Sequence, residues 1–154
     1  LGEEWLQCRE RLLERLREAR RTNYRELLNE LLARLPECKT PLEYCTGMIA
    51  ALLLNLSAMR ERVGQLNPLR ILAEMTAGGE AGLGALAGFS LGSTFVDEDL
   101  PLTEKLVSYT RRYQEYLREL SETSKNALSD FLRDAISIFS ERSEEERIDH
   151  NTEE

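Results

Sequence analysis

Apolar residues recur along the chain with the spacing of amphipathic helices. Between Glu3 and Leu35 they fall at intervals of three and four residues, and a polar stretch at residues 20–23 separates two apolar sets. One interpretation is two helices, the second begun by a capping box of Asn23 and Glu26. The other is a single long helix with a polar waist. Pro36 ends the unit in either case.

The next helix is predicted by a strong start signal and an apolar middle. Thr40 stands in the N-cap position, with Pro41 and Glu43 in the first turn, so a helix should run from Pro41 to about Gln65. Its middle, GMIAALLLNL, is apolar on nearly every side. This pattern is typical of a central helix that neighbouring helices surround.

The second half of the chain continues the helical pattern. Four further helices are predicted: from Pro68 to the Gly78-Gly79 pair, from about Glu80 to Phe95, from a cap at Thr103 to about Leu120, and from Ala127 to Phe139. No segment shows the alternation of a strand. We therefore predict an all-α fold, a compact bundle of about six helices with an apolar central helix. Residues 1–140 form its single domain, and residues 141–154 form an acidic flexible tail.

The run GGEAGLGALAGFSLG, residues 78–92, holds six of the nine glycines. A phosphate-binding loop is excluded because no strand precedes the run and no GKS or GKT follows it. In a helix, Gly84, Gly88 and Gly92 recur every four residues and form a groove that another helix can approach closely. The groove belongs either to the packed core or to a contact with a partner or a second copy.

Composition and charge narrow the classes of function. The chain carries a net charge of −8, so nucleic acid is not expected as a partner, although contact with a membrane surface stays open. Three cysteines without a CxxC pair, and one histidine, predict neither a disulfide framework nor a metal site, and no cofactor is expected. Reduced thiols fit a cytoplasmic location. An enzyme is not expected; the alternative is an acid–base pair of Glu74 and Glu80, or a Cys45 whose pKa is lowered near a helix start.

Two further patterns suggest contacts with another protein. The segment from Arg9 to Arg25 holds seven arginines and three glutamates, which predicts either a docking face for an acidic partner or a solvated face of ion pairs. Tyr109, Tyr113 and Tyr116 share one helical side near Arg111 and Arg112, and they are either interface anchors or core residues. The candidate partner-binding residues are Arg15, Arg17, Arg21, Gly84, Gly88, Gly92, Tyr109 and Tyr113.

One stretch resembles a known family. The runs GALAGFSLGSTFVDED, residues 84–99, and LVSYTRRYQEYL, residues 106–117, resemble the central hairpin of the Bcl-2 family in hydropathy and glycine placement. The Asn-Trp-Gly-Arg core of that family is replaced here by Glu80-Ala81-Gly82-Leu83. The resemblance implies a regulator of cell death that captures an amphipathic helix in a hydrophobic groove. It is the alternative to our main prediction, a non-enzymatic adaptor or regulatory domain that binds another protein through a helix or acidic segment, or forms a homodimer.

Overall fold

The computed structural model describes residues 1–58, 68–77, 79–92 and 99–153, with residues 142–153 described by their backbone alone. Within these ranges the chain forms seven α-helices and no strand, which confirms the predicted all-α bundle. The helices are α1 (Glu3–Glu18), α2 (Tyr24–Arg34), α3 (Pro41–Ala58), α4 (Pro68–Ala77), α5 (Ala81–Leu91), α6 (Leu100–Glu119) and α7 (Glu122–Glu153). Short 3-10 turns at Arg21–Asn23 and Leu35–Glu37 flank α2.

The helix α3 lies at the centre of the bundle. All of its residues from Tyr44 to Ser57 are buried, and α1, α2, α5, α6 and α7 pack against it. A helix that is apolar on all sides gains the most free energy when it is covered on all sides, so this position follows from its sequence. The prediction of an apolar central helix is confirmed. Its predicted end near Gln65 lies outside the described residues, as does the predicted end of α5 near Phe95.

The start of α3 forms as the sequence predicts. Thr40 Oγ1 accepts a hydrogen bond from the Glu43 amide at 3.1 Å, and the Glu43 carboxylate accepts one from the Lys39 amide at 3.3 Å. These contacts satisfy amides at the helix start that have no intrahelical partner. They also fix the position of the preceding segment, which lines both cavities described below.

Two predicted helix caps are wrong. Asn23 does not cap α2, because its Oδ1 accepts a hydrogen bond from the Arg20 amide at 2.8 Å, and the polar residues form a turn between two separate helices. Thr103 does not cap α6, because the helix starts directly after Asp99, whose side chain accepts a hydrogen bond from the Leu102 amide at 3.1 Å. The Thr103 hydroxyl instead donates to the Asp99 carbonyl oxygen within the first turn.

The end of the chain is helical in its backbone. After a break at Leu120 and Ser121, α7 continues through Glu153 and so includes most of the acidic segment. The flexibility of residues 141–154 and the single domain of residues 1–140 stay predictions.

Candidate functional site

A groove runs between α1 and α2. Both helices pack on α3 but share few close contacts with each other, so the space between them stays open. This α1–α2 groove has a volume of about 460 Å³, within the range of ligand-binding clefts. Its lining residues are Cys8, Arg11, Leu12, Glu14, Arg15, Glu18, Glu30, Leu31, Arg34, Leu35, Glu37, Cys38, Glu43 and Gly47.

The floor of the α1–α2 groove is apolar. Leu12 and Leu31 are half-buried and pack against the core, and Leu35 is buried. Gly47 allows Leu35 to approach α3 closely, since a Cβ built on Gly47 would lie 2.8 Å from Leu35 Cδ2. Apolar side chains that stay partly exposed in a concave surface are the usual lining of a binding site.

The rim of the groove is charged and, in sum, acidic. Five glutamates and three arginines line the groove. Arg15 contacts the carboxylate of Glu30 on the opposite helix. Four carboxylates and two guanidinium groups remain on the rim, so the groove suits a ligand with basic groups.

The structure separates the three candidate arginines. Arg15 lines the α1–α2 groove, whereas Arg17 faces a cleft toward α7, which Asp134 and Glu141 also line. Arg21 lies in the 3-10 turn beyond the end of α1. The basic segment therefore does not form one continuous docking face, and Arg15 is the candidate arginine that lines the groove.

The structure also separates the two candidate tyrosines. Tyr113 is fully buried, and its hydroxyl donates a hydrogen bond to the Leu83 carbonyl oxygen at 2.8 Å. The prediction that Tyr113 contacts a partner is therefore wrong, because its ring lies in the core and α5 satisfies its hydroxyl. Tyr109 is half-buried and lines a second cavity.

This second cavity, the tyrosine cavity, lies where the segment before α3 meets α6. Its volume is about 390 Å³, and its lining residues are Leu35, Pro36, Cys38, Lys39, Thr40, Pro41, Tyr44, Ser108, Tyr109, Arg112 and Tyr116. The Tyr44 ring meets the rings of Tyr109 and Tyr116 edge to face, with centroids 6.5 and 5.3 Å apart. The Tyr44 hydroxyl donates to the Tyr109 carbonyl oxygen at 3.0 Å. These contacts make the aromatic wall of the cavity a connected unit.

The row of Gly84, Gly88 and Gly92 is exposed, which corrects the interpretation that it packs closely against another helix of the core. Apart from their own helix, no described atom lies within 4 Å of a Cβ built on Gly84 or Gly88. The reason is that the opposite face of α5 carries the bulky residues, including Leu83 and Leu86, and this face turns toward the core. Contact of the exposed row with a partner or a second copy stays a prediction.

Cys8 and Cys38 both line the α1–α2 groove. Burial raises the pKa of both thiols, that of Cys38 to about 11, and the carboxylate of Glu43 adds to the effect. Cys45 is fully buried, and burial raises its pKa to about 12, so the predicted lowering of that pKa is wrong. Loss of hydration of the thiolate outweighs the field of the helix start.

We expect Cys38 and Cys45 to react slowly with iodoacetamide in the folded protein. Raising the pKa from 9.0 to about 11 lowers the thiolate fraction of Cys38 roughly a hundredfold near pH 8. The thiolate of a thiol with a higher pKa is the stronger nucleophile, which offsets about tenfold of that loss in reaction rate. Mass spectrometry of the labelled peptides should show Cys38 reacting at least about tenfold more slowly than in the urea-unfolded chain. Cys45 should stay unmodified until the chain unfolds. Equal rates in the folded and unfolded states would contradict this assignment.

The two carboxylates considered for acid–base chemistry each contact a different cation. Glu74 lies 3.8 Å from Arg70, and Glu80 lies 3.9 Å from Lys125. Across the described ranges, no group of three or more histidine, cysteine, aspartate or glutamate residues is placed to hold a metal ion. Among the described helices, none combines the length and the apolar character that a membrane span needs.

Comparison with known proteins identifies no relative of this chain. No family model matches the sequence, and no curated protein or solved structure is significantly similar to it. The resemblance to the Bcl-2 hairpin predicts that α5 and α6 lie at the centre of the bundle, whereas the centre is α3. A functional proposal therefore has to rest on the geometry of the two cavities.

The sequence marks Arg15, Tyr109 and Arg112, which line the cavities, but not the leucines of the groove floor or Lys39. Leu12 and Leu31 belong to the apolar stripes of α1 and α2, and the separation of these two helices leaves both side chains half-exposed. Lys39 and Arg112 are far apart in the sequence and line one cavity only in the folded chain. A half-buried leucine has no signature in a single sequence, so no local signal marks these positions.

Proposed function

We propose that this domain is a non-enzymatic adaptor or regulatory module that binds an amphipathic helix of another protein in the α1–α2 groove. The observation that carries the proposal is a concave surface whose apolar floor is bordered by charged side chains. A helix fits such a groove by inserting apolar residues spaced three and four apart, with its polar face toward solvent. Leu12 and Leu31 supply the apolar contacts.

The charge of the groove supports a basic helix as the partner. Four glutamates of the rim remain after the contact between Arg15 and Glu30, against two arginines. The net charge of −8 adds long-range attraction for a basic ligand. We therefore expect a partner helix with an apolar stripe flanked by lysine or arginine. The free thiols of Cys8 and Cys38 in the groove are consistent with a reducing, cytoplasmic setting.

A display experiment tests this proposal directly. A library of amphipathic helices with variable flanking charge would be selected against the whole chain, and the enriched peptides measured by fluorescence polarisation. We expect enrichment of an apolar stripe with basic flanks. Leu12→Gln and Leu31→Gln should each weaken binding of an enriched peptide about tenfold, because each removes apolar contact at the floor.

The matched control is Leu6→Gln. Leu6 also lies on α1, but its side chain is 48% exposed and does not line the groove, so this variant should bind the peptide normally. Equal weakening by all three substitutions, or no enriched peptide, would contradict the proposal. A BH3-type peptide forms a separate arm: preference for it over the basic helices would favour the alternative, a Bcl-2-like regulator.

A further inference from the structure

The tyrosine cavity differs from the α1–α2 groove in the sign of its charge. Lys39 and Arg112 line it and no carboxylate of the described chain does, although the sequence has 28 acidic and 20 basic residues. Glu115 interacts with Arg112 from the same helix, but it is exposed and lies outside the lining. The charge of the lining therefore favours an anion, although the protein as a whole is acidic.

The structure orients one of the two cations. The Arg112 guanidinium lies 6.0 Å from the centroid of the Tyr116 ring, and its Nη1 donates to the Tyr116 hydroxyl at 3.4 Å. Lys39 belongs to the segment before α3, so the two cations enter the cavity from different elements. The remaining wall is aromatic and apolar, formed by the tyrosines with Leu35, Pro36 and Pro41.

We propose that the tyrosine cavity binds an aryl phosphate, with the phosphate between Lys39 and Arg112 and the aryl ring against Tyr109 and Tyr116. A phosphate monoester carries close to two negative charges at neutral pH and has three acceptor oxygens, which matches two cations with neighbouring hydroxyl groups. The volume of about 390 Å³ lies in the range that holds a small organic molecule as well as its anionic group. This inference goes beyond the binding of a helix in the α1–α2 groove and does not depend on it.

Calorimetric titration of the whole chain with phenyl phosphate tests the proposal. We expect saturable binding with a Kd below about 1 mM, and binding of inorganic phosphate at least about tenfold weaker because it lacks the ring. Phenol, which lacks the anion, should not bind measurably. Affinity for phenyl phosphate should fall as the pH drops through about 6, where the second phosphate charge is lost.

Arg112→Gln and Lys39→Gln should each weaken phenyl phosphate binding about tenfold. Arg111→Gln is the matched control, because Arg111 is the exposed neighbour on α6 and does not line the cavity. All three positions are exposed, so folding should be retained, and circular dichroism checks this. Absence of saturation, or equal weakening by Arg111→Gln and Arg112→Gln, would overturn the proposal.

A second arm distinguishes the source of the aryl phosphate. Tighter binding of a peptide with one phosphotyrosine than of phenyl phosphate would support a protein source. Equal affinity would support a small-molecule ester, and both results support the aryl phosphate chemistry. Leu12→Gln and Leu31→Gln should leave phenyl phosphate binding unchanged, so failure of this proposal and failure of the helix-binding proposal can be told apart.

Discussion

Replacing Tyr113 with alanine is expected to lower the free energy of unfolding by about 3–5 kcal/mol. The side chain is fully buried in the core, and its hydroxyl donates to the Leu83 carbonyl oxygen. Removing the ring leaves a cavity that the surrounding helices fill only in part. Tyr113→Phe keeps the ring and loses only the hydrogen bond, so it should cost about 1 kcal/mol. Urea denaturation followed by circular dichroism would measure both values.

Tyr109→Ala provides the matched comparison, one helical turn earlier on α6. Because Tyr109 is half-buried and its backbone rather than its hydroxyl accepts the bond from Tyr44, this change should cost roughly 1 kcal/mol. A loss for Tyr109→Ala as large as that for Tyr113→Ala would contradict the different environments of the two rings. A loss below 1 kcal/mol for Tyr113→Ala would show that Tyr113 is not a core residue.

The two tyrosines show where the sequence stops being informative. Residues spaced by four share one side of a helix, so periodicity alone assigned Tyr109 and Tyr113 to the same surface. The difference comes from the neighbouring elements, since Tyr113 meets α5 whereas Tyr109 meets the start of α3. Such contacts depend on the packing of distant segments, which helical spacing does not encode.

Features of the fold that depend on local chemistry could be predicted. The cap at Thr40, the central position of α3 and the burial of its residues 44–57 follow from a few adjacent residues and from an apolar sequence on all sides. The starts of α2, which has no side-chain cap, and of α6 could not be assigned in the same way. More than one polar residue near each start was able to cap, and Asp99 rather than Thr103 did so.

The two cavities could not be predicted, because they arise where packed elements leave space between them. The α1–α2 groove exists since both helices pack on α3 and leave a gap between them. Arg15 was singled out for its charge and does line that groove, but its guanidinium contacts Glu30. The tyrosine cavity was not foreseen as a cavity, although Tyr109 in its wall was a candidate. The charged and aromatic residues of a sequence indicate the chemistry of its surface. The position of a concave surface, however, can be seen only in the folded chain.

The glycines of α5 also show that spacing in the sequence does not predict which residues pack closely. Their repeat of four drew attention to Gly84, Gly88 and Gly92, whose positions are exposed. The glycine of α5 that does require a close approach is Gly82, which lies outside that repeat. A Cβ built on Gly82 would lie 2.2 Å from Thr76 Cγ2. A single close contact between α4 and α5 leaves no period in the sequence.

Replacing Gly82 with alanine is expected to lower the free energy of unfolding by about 1–3 kcal/mol, because the added methyl group meets Thr76 in a packed interior. Thr76 is fully buried and cannot turn aside freely. Its hydroxyl donates to the carbonyl oxygens of Leu72 and Ala73, at 3.1 and 3.0 Å, which favours one orientation of its methyl group. Its backbone nitrogen lies only 3.3 Å from the added atom. Urea denaturation of the variant measures the loss.

Gly88→Ala is the control on the opposite face of the same helix. The added methyl group meets no described atom outside the helix, and the backbone at Gly88 is not left-handed, so the variant should gain about 0.5–1 kcal/mol from its higher helix propensity. The double variant of Gly82→Ala with Thr76→Ser should recover part of the loss, because serine keeps the hydroxyl and lacks the clashing methyl group. Stabilisation by Gly82→Ala, or additive losses in the double variant, would show that α4 and α5 are not held at this contact. Destabilisation by Gly88→Ala would show instead that another part of the chain covers the glycine row.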